Sequence, residues 1–160
     1  MNHKQIRKLI KDTLERMNMW SAEAEELVFL TGMVESGYDY IYQIGSGIAR
    51  SFWQVESATA KDCIENYLSY REKKLNRVCD IMHIEPDRLL DLTDEGLKHL
   101  LWGNMFAGII FCRIKYWRVP KKIPMDLEGM ADYWKKYYNT EGGAGTIAHF
   151  LEKAEKRKDI

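Results

Sequence analysis

Little in this sequence supplies a covalent framework. Only three of its 160 residues are cysteine. Cys63, Cys79 and Cys112 are odd in number and far apart, which predicts reduced core thiols rather than a disulfide scaffold. No C-x-x-C occurs, and His3, His83, His99 and His149 form no H-x-x-x-H pair, so neither a metal nor a cofactor is expected. Excess charge is absent too: 24 basic side chains balance 24 acidic ones. Proteins that live on phosphate backbones are usually basic, so a nucleic-acid partner is not expected. The longest run free of Asp, Glu, Lys and Arg, His99 to Cys112, falls short of the roughly 20 apolar residues that cross a bilayer. No membrane partner is expected. The N-terminal residues lead into an amphipathic pattern with no apolar signal core, predicting synthesis in the cytoplasm without a secretory signal.

What is present suits a folded chain. Hydrophobic residues make up 46% and charged residues 30%, a balance that excludes disorder. A chain of this length buries about 70% of its extended surface, so one domain over residues 1–160 is expected. Ile6, Leu9, Ile10, Thr13 and Met17 recur at helical spacing and predict an amphipathic N-terminal helix within residues 1–20. Ser21 is placed to cap a second helix, with Glu23, Glu25 and Glu26 at its positive end, and that helix is expected to stop near Gly37. From Gly37 to Gly47 there is no helical period, which predicts a loop with one or two short strands.

Helical spacing resumes at Ser57 and runs to Met82, as one long helix or two joined near Ser69. Pro86 opens a short element, and Thr93 caps a helix expected to continue to Trp117 through the apolar stretch around Gly108. There, glycine suits the close approach of another part of the chain. Pro120 and Pro124 bracket a linker. Leu127 to Tyr138 reads as a helix, Glu141 to Gly145 as a glycine loop, and Thr146 caps a last helix that ends in a basic tail, residues 151–160. The fold class is mainly α.

Three constellations can carry chemistry. Glu35-Ser36 ends the second helix beside its apolar face, where burial raises a carboxyl pKa. An acid protonated near neutrality can donate to the leaving oxygen of a glycosidic bond. Second, Ser51-Phe52-Trp53-Gln54 places aromatic faces next to an amide, followed by Glu56; such side chains stack on sugars and hydrogen-bond their hydroxyls. Third, Tyr133-Trp134-Lys135-Lys136-Tyr137-Tyr138-Asn139 is an aromatic helix end that runs into glycines and can place the Tyr138 hydroxyl and the Asn139 amide at the rim of a cleft. Each alone also fits ordinary packing: an exposed terminal glutamate, a core tryptophan, an aromatic helix end.

Together they resemble the soluble lytic transglycosylase family of lysozyme-like enzymes. That family's motifs run Glu-Ser, then Gly-Leu-Met-Gln with Ala-Thr-Ala, then Asn-x-x-x-Gly, then Ala-Tyr-Asn. Here the order is Glu35-Ser36, Ser51-Phe52-Trp53-Gln54 with Ala58-Thr59-Ala60, Asn104 to Gly108, and Tyr138-Asn139, over about residues 21–150. Ser-Phe-Trp replaces Gly-Leu-Met, Glu56-Ser57 stands at Met-Pro, and Tyr137 replaces an alanine. The style is that of a bacteriophage variant.

The resemblance implies a goose-type lysozyme-like helical domain with a short irregular or β segment near residues 37–50. It implies cleavage of peptidoglycan glycan strands between N-acetylmuramic acid and N-acetylglucosamine, with virion proteins as further partners and action in the virion or at the host periplasm and cell wall. Glu35 is implied as the catalytic acid and base, and Tyr138 as the residue that orients Glu35 or the substrate acetamido group. Ser36, Ser51, Phe52, Gln54, Glu56 and Asn139 are implied as substrate contacts. Since neighbours in an extended segment alternate sides, Gln54 is expected to face the cleft and Trp53 to pack behind it. A hydrolytic muramidase would need a second carboxylate, for which Glu56 and Asp39 are candidates. The competing readings are a lysozyme-like virion or wall-binding protein with weak or no catalysis, and a helical module presenting Asn2–Asn18 to a partner. An open cleft with Glu35 at its floor separates the enzyme from the module.

Overall fold

A computed structural model describes residues 1–45, 47–139 and 143–159. The chain is mainly helical. Helix α1 (His3–Arg16) starts where the Asn2 side chain accepts from the Gln5 N–H, and its apolar stripe of Ile6, Ile10 and Leu14 is buried. That stripe packs on α2 (Ala22–Glu35), α4 (Glu72–Met82) and α7 (Met105–Trp117). The apolar face of α1 is therefore occupied by the chain's own core, while Lys4, Lys8 and Lys11 on its other face are exposed. Arg7 of α1 also pairs with Glu26 at 2.8 Å, and Lys8 with Asp12.

Helix α2 is apolar on every side from Leu27 to Val34, as expected for a helix running through the middle of a core. Ser21 caps it by accepting from Ala24 N–H. It ends at Ser36, after which Gly37 and Tyr38 take positive φ values of 62° and 60°. Tyr38 accepts that strain because its ring is buried against Phe29, Phe52 and Trp53 and its hydroxyl donates to the Phe29 carbonyl. Beyond it, the expected strands reduce to two isolated antiparallel bridges, Tyr42 with Arg50 and Arg50 with Val55. No strand forms among the described residues, because the loop turns back at once through Ser51 and Gln54, both at positive φ.

The stretch after Ser57 is two helices, α3 (Ser57–Asn66) and α4, separated by a 3₁₀ turn at Leu68–Tyr70. Next come α5 (Pro86–Leu90) and α6 (Asp94–Gly103), the latter capped by Thr93. The expected single helix through to Trp117 is broken at Asn104. Its side-chain oxygen caps α7 by accepting from Ala107 N–H, while its amide donates to the Met82 carbonyl. A buried-end cap plus a tertiary bond outweighs helix propensity at one residue.

Helix α7 carries the centre of the core. At Gly108 an added Cβ would meet Trp53 at 2.7 Å and Ser51 at 2.8 Å, so glycine there lets the 51–54 turn seat on the helix. Helix α8 (Leu127–Trp134) does not continue to Tyr138 as α-helix. It loosens into a π-helical turn at Lys135–Asn139, a widening often found at functional sites. Helix α9 (Ile147–Glu155), capped by Thr146, packs on α2 and α8 and runs into a 3₁₀ turn at Lys156–Asp159. Of the glycine loop and basic tail read from sequence, Glu141, Gly142 and Ile160 lie outside the described residues, as does Thr140. One hydrophobic cluster takes side chains from all of α1 to α9. Among the described residues, no helix is long and apolar enough to cross a membrane.

Candidate active site

The C-terminal end of α2, the 40–56 loop, the π turn and the start of α9 surround an open cleft of about 900 Å³. Glu35 lines it. The helix end puts this carboxylate beside Val34 and the core, and burial pushes its pKa up to about 7. Two groups oppose that shift: the Trp134 indole N–H donates to Oε1 at 3.0 Å, and the Lys115 ammonium favours the ionised form. Burial wins. Oε2 takes no hydrogen bond from a described residue and is not sealed from solvent, so it is the oxygen free to exchange a proton with something in the cleft. Tyr40 fixes the end of the helix itself, donating to the Glu35 carbonyl at 2.8 Å.

Tyr138 lines the same cleft but does not hold the Glu35 carboxylate. Its hydroxyl donates to the Trp53 carbonyl at 2.6 Å, and its ring stacks on Tyr116. The contact to the Glu35 carboxylate is made by Trp134, four residues and one turn earlier; these contacts do not bear on the alternative role of Tyr138, toward a substrate acetamido group. Asn139 also lines the cleft, with Oδ1 accepting from Lys135 Nζ at 2.8 Å. Lys135 donates as well to the carbonyls of Gly143 and Gly145, so one ammonium ties the π turn to the returning loop. At Gly145 an added Cβ would run into the Trp134 ring and fall 2.9 Å from Asn139 Nδ2. The loop thus closes directly over the tryptophan that bonds Glu35.

The remaining expected contacts divide. Gln54 and Glu56 line the cleft; Gln54 donates to the Ser51 carbonyl at 2.8 Å. Trp53 packs behind, fully buried, with its indole N–H on the Val28 carbonyl. Ser36, Ser51 and Phe52 do not reach the cleft. Ser36 is buried, its Oγ donating to the Gly32 carbonyl and accepting from Tyr38 N–H. Ser51 Oγ accepts from Trp53 N–H, and Phe52 is buried against Tyr38. The turn at positive φ through Ser51 and Gln54 rotates Ser51 and Phe52 inward, which an extended reading of the segment could not foresee. Of the two candidate second carboxylates, Glu56 faces the cleft, whereas Asp39 lies in a separate hollow with Tyr38 and Phe52.

Lys115 is absent from the sequence motifs, and Trp134, within the aromatic helix end, has no role assigned to it there. Lys115 lines the cleft from α7, donates to the Tyr138 carbonyl at 2.8 Å, and sits 4.4 Å above the Tyr138 ring. Burial lowers its pKa. A lysine in a helix that is apolar but for Arg113 and Lys115 was the available signal. Among the described residues, no group of three or more His, Cys, Asp or Glu could hold a metal ion. No family model, curated protein or solved structure matches the chain.

Proposed function

We propose that this chain is a lysozyme-like lytic transglycosylase that cleaves the β-1,4 bond between N-acetylmuramic acid and N-acetylglucosamine. One observation carries the reading: a buried carboxyl group with a pKa near 7 lines an open cleft with one oxygen unbonded. An acid so poised is half protonated at neutral pH, the condition for giving a proton and taking one back.

In the first step protonated Glu35 gives its proton to the glycosidic oxygen as the C1–O bond breaks. In the second, the muramyl 6-hydroxyl attacks C1, and ionised Glu35 takes up the hydroxyl proton. A 1,6-anhydro ring forms, the N-acetylglucosamine hydroxyl leaves, and no water is consumed. The Trp134 N–H on Oε1 stabilises the carboxylate between the two steps and keeps Oε2 toward the sugar. Gln54 and Asn139 supply amides on the cleft wall. The π turn and Lys135 keep the loop over Trp134 in place.

A hydrolytic muramidase is the second reading, favoured by Glu56, which lines the same cleft and could activate a water. A wall-binding protein without catalysis is favoured by the inward placement of Ser36, Ser51 and Phe52, which removes three of the expected sugar contacts. Digestion of purified peptidoglycan by the wild type and by Glu35→Gln, with products resolved by mass, separates the three. Anhydro-muropeptides from wild type alone are expected. Reducing-end products would mean hydrolysis, and no products from either protein would remove the catalytic claim.

A further inference from the structure

At the opposite end of α2 from Glu35 lies a second hollow, of about 450 Å³, lined by Ser21, Glu23, Arg113, Trp117, Lys121 and Lys122 among others. Arg113 is only 5% exposed. Its Nε–H donates to the Met19 carbonyl at 3.0 Å, and its guanidinium lies 5.0 Å over the Trp117 ring. The terminal nitrogens have no hydrogen-bond or ion-pair partner among the described residues. Those nitrogens are not sealed from solvent, so the guanidinium presents its unused donors to the hollow, where no carboxylate pairs with it. Arginine does not lose its proton. Its unused N–H groups form a fork whose geometry matches an oxyanion.

The surroundings fit the same ligand. Exposed Lys121 and Lys122 stand on the rim, and Lys74 Nζ lies 4.9 Å from the centre of the Trp117 ring. The N-terminus of α2, a 14-residue helix, opens here, with its first N–H groups at the positive end of the dipole. Glu23 is the one carboxylate that lines this hollow among the described residues, and it leaves the site with a net positive charge. We infer that the groove between Arg113, Lys121, Lys122 and the start of α2 binds a phosphate group, as the free ion or a small phosphate monoester. The volume admits one such group with a few carbons attached. The inference stands apart from the reading of the Glu35 cleft and does not depend on it.

Titration of isotope-labelled full-length protein with inorganic phosphate, at ionic strength held constant with chloride, tests it by NMR. A saturable shift of the Trp117 indole and of the Ala22 and Glu23 amides is expected. Arg113→Lys keeps the charge but loses the fork, and is expected to weaken binding about tenfold. The exposed double change Lys121→Gln with Lys122→Gln leaves the core alone and is expected to weaken it several-fold. Glycerol 3-phosphate in a parallel titration tells a free ion from an ester: tighter ester binding assigns a monoester, equal binding the ion, and both uphold the site. Shifts that do not saturate, or affinities unchanged in both variants, would overturn it. Should Arg113→Lys fail to fold, the double variant alone decides.

Discussion

The two ends of α2 hold opposite buried charges under opposite conditions. At the C-terminal end Glu35 is a carboxylate in an apolar corner, at the unfavourable pole of the helix dipole, and it responds by holding its proton. At the N-terminal end Arg113 is a cation that cannot respond that way, and it keeps unused donors in a hollow. Between them Leu27 to Val34 are packed on all sides, so neither charge can move without disturbing the core. The difference teaches how each site works. In the roles proposed for them, the group that can titrate serves as an acid and the one that cannot serves as a receptor for a counter-charge.

The largest expected break in this comparison is Glu35→Gln. It removes the transferable proton and is expected to lower peptidoglycan cleavage by about a thousandfold, measured as product release. The same change is expected to stabilise the fold at pH 8. A carboxyl whose folded pKa is raised to about 7 from an ordinary value of 4.5 contributes fully below the ordinary value. That contribution is lost as pH rises through 7, where the buried charge must form. The shift corresponds to about 3 kcal/mol; with the Trp134 bond weakened, a net gain of about 1–2 kcal/mol in urea unfolding at pH 8 is expected. Wild-type cleavage is expected to fall as pH rises through about 7.

Tyr138→Phe comes next and sharpens the assignment of roles. It leaves the buried Trp53 carbonyl without its donor, and a loss of about 1–3 kcal/mol in unfolding free energy is expected. The pH at which activity falls should stay where it is. Trp134→Phe does the reverse: it removes the N–H that stabilises the ionised carboxyl. That limb should move to higher pH by a fraction of a unit, with about 1 kcal/mol of stability lost. The smallest expected effect is that of phosphate at the far end of α2. That helix is about 21 Å long, beyond a Debye length of roughly 8 Å at physiological salt. Saturating phosphate should leave the pH limb unmoved.

Much of this arrangement is legible in the residues. The caps at Ser21, Thr93 and Thr146 mark helix starts because a short side-chain oxygen must take up orphan N–H groups. Glu35 is conspicuous as a carboxylate after an apolar run, and Gln54 with Asn139 fall on the cleft as their motifs imply. What escapes is set by tertiary packing. Asn104 breaks a helix because it finds a partner on the Met82 carbonyl, far away in sequence. Ser51 and Phe52 turn inward because the backbone takes positive φ, which no side-chain periodicity encodes. Trp134 and Lys115 reach Glu35 from helices 99 and 80 residues further on. Only the fold shows that they meet.

The most direct measurement is an NMR titration of the Glu35 side-chain carboxyl carbon, assigned by its absence in Glu35→Gln. A midpoint near pH 7, moving upward in Trp134→Phe, is the expected result. A midpoint near 4.5, unmoved by the tryptophan, would mean an ordinary solvated glutamate and would contradict the assignment of Glu35 as the acid.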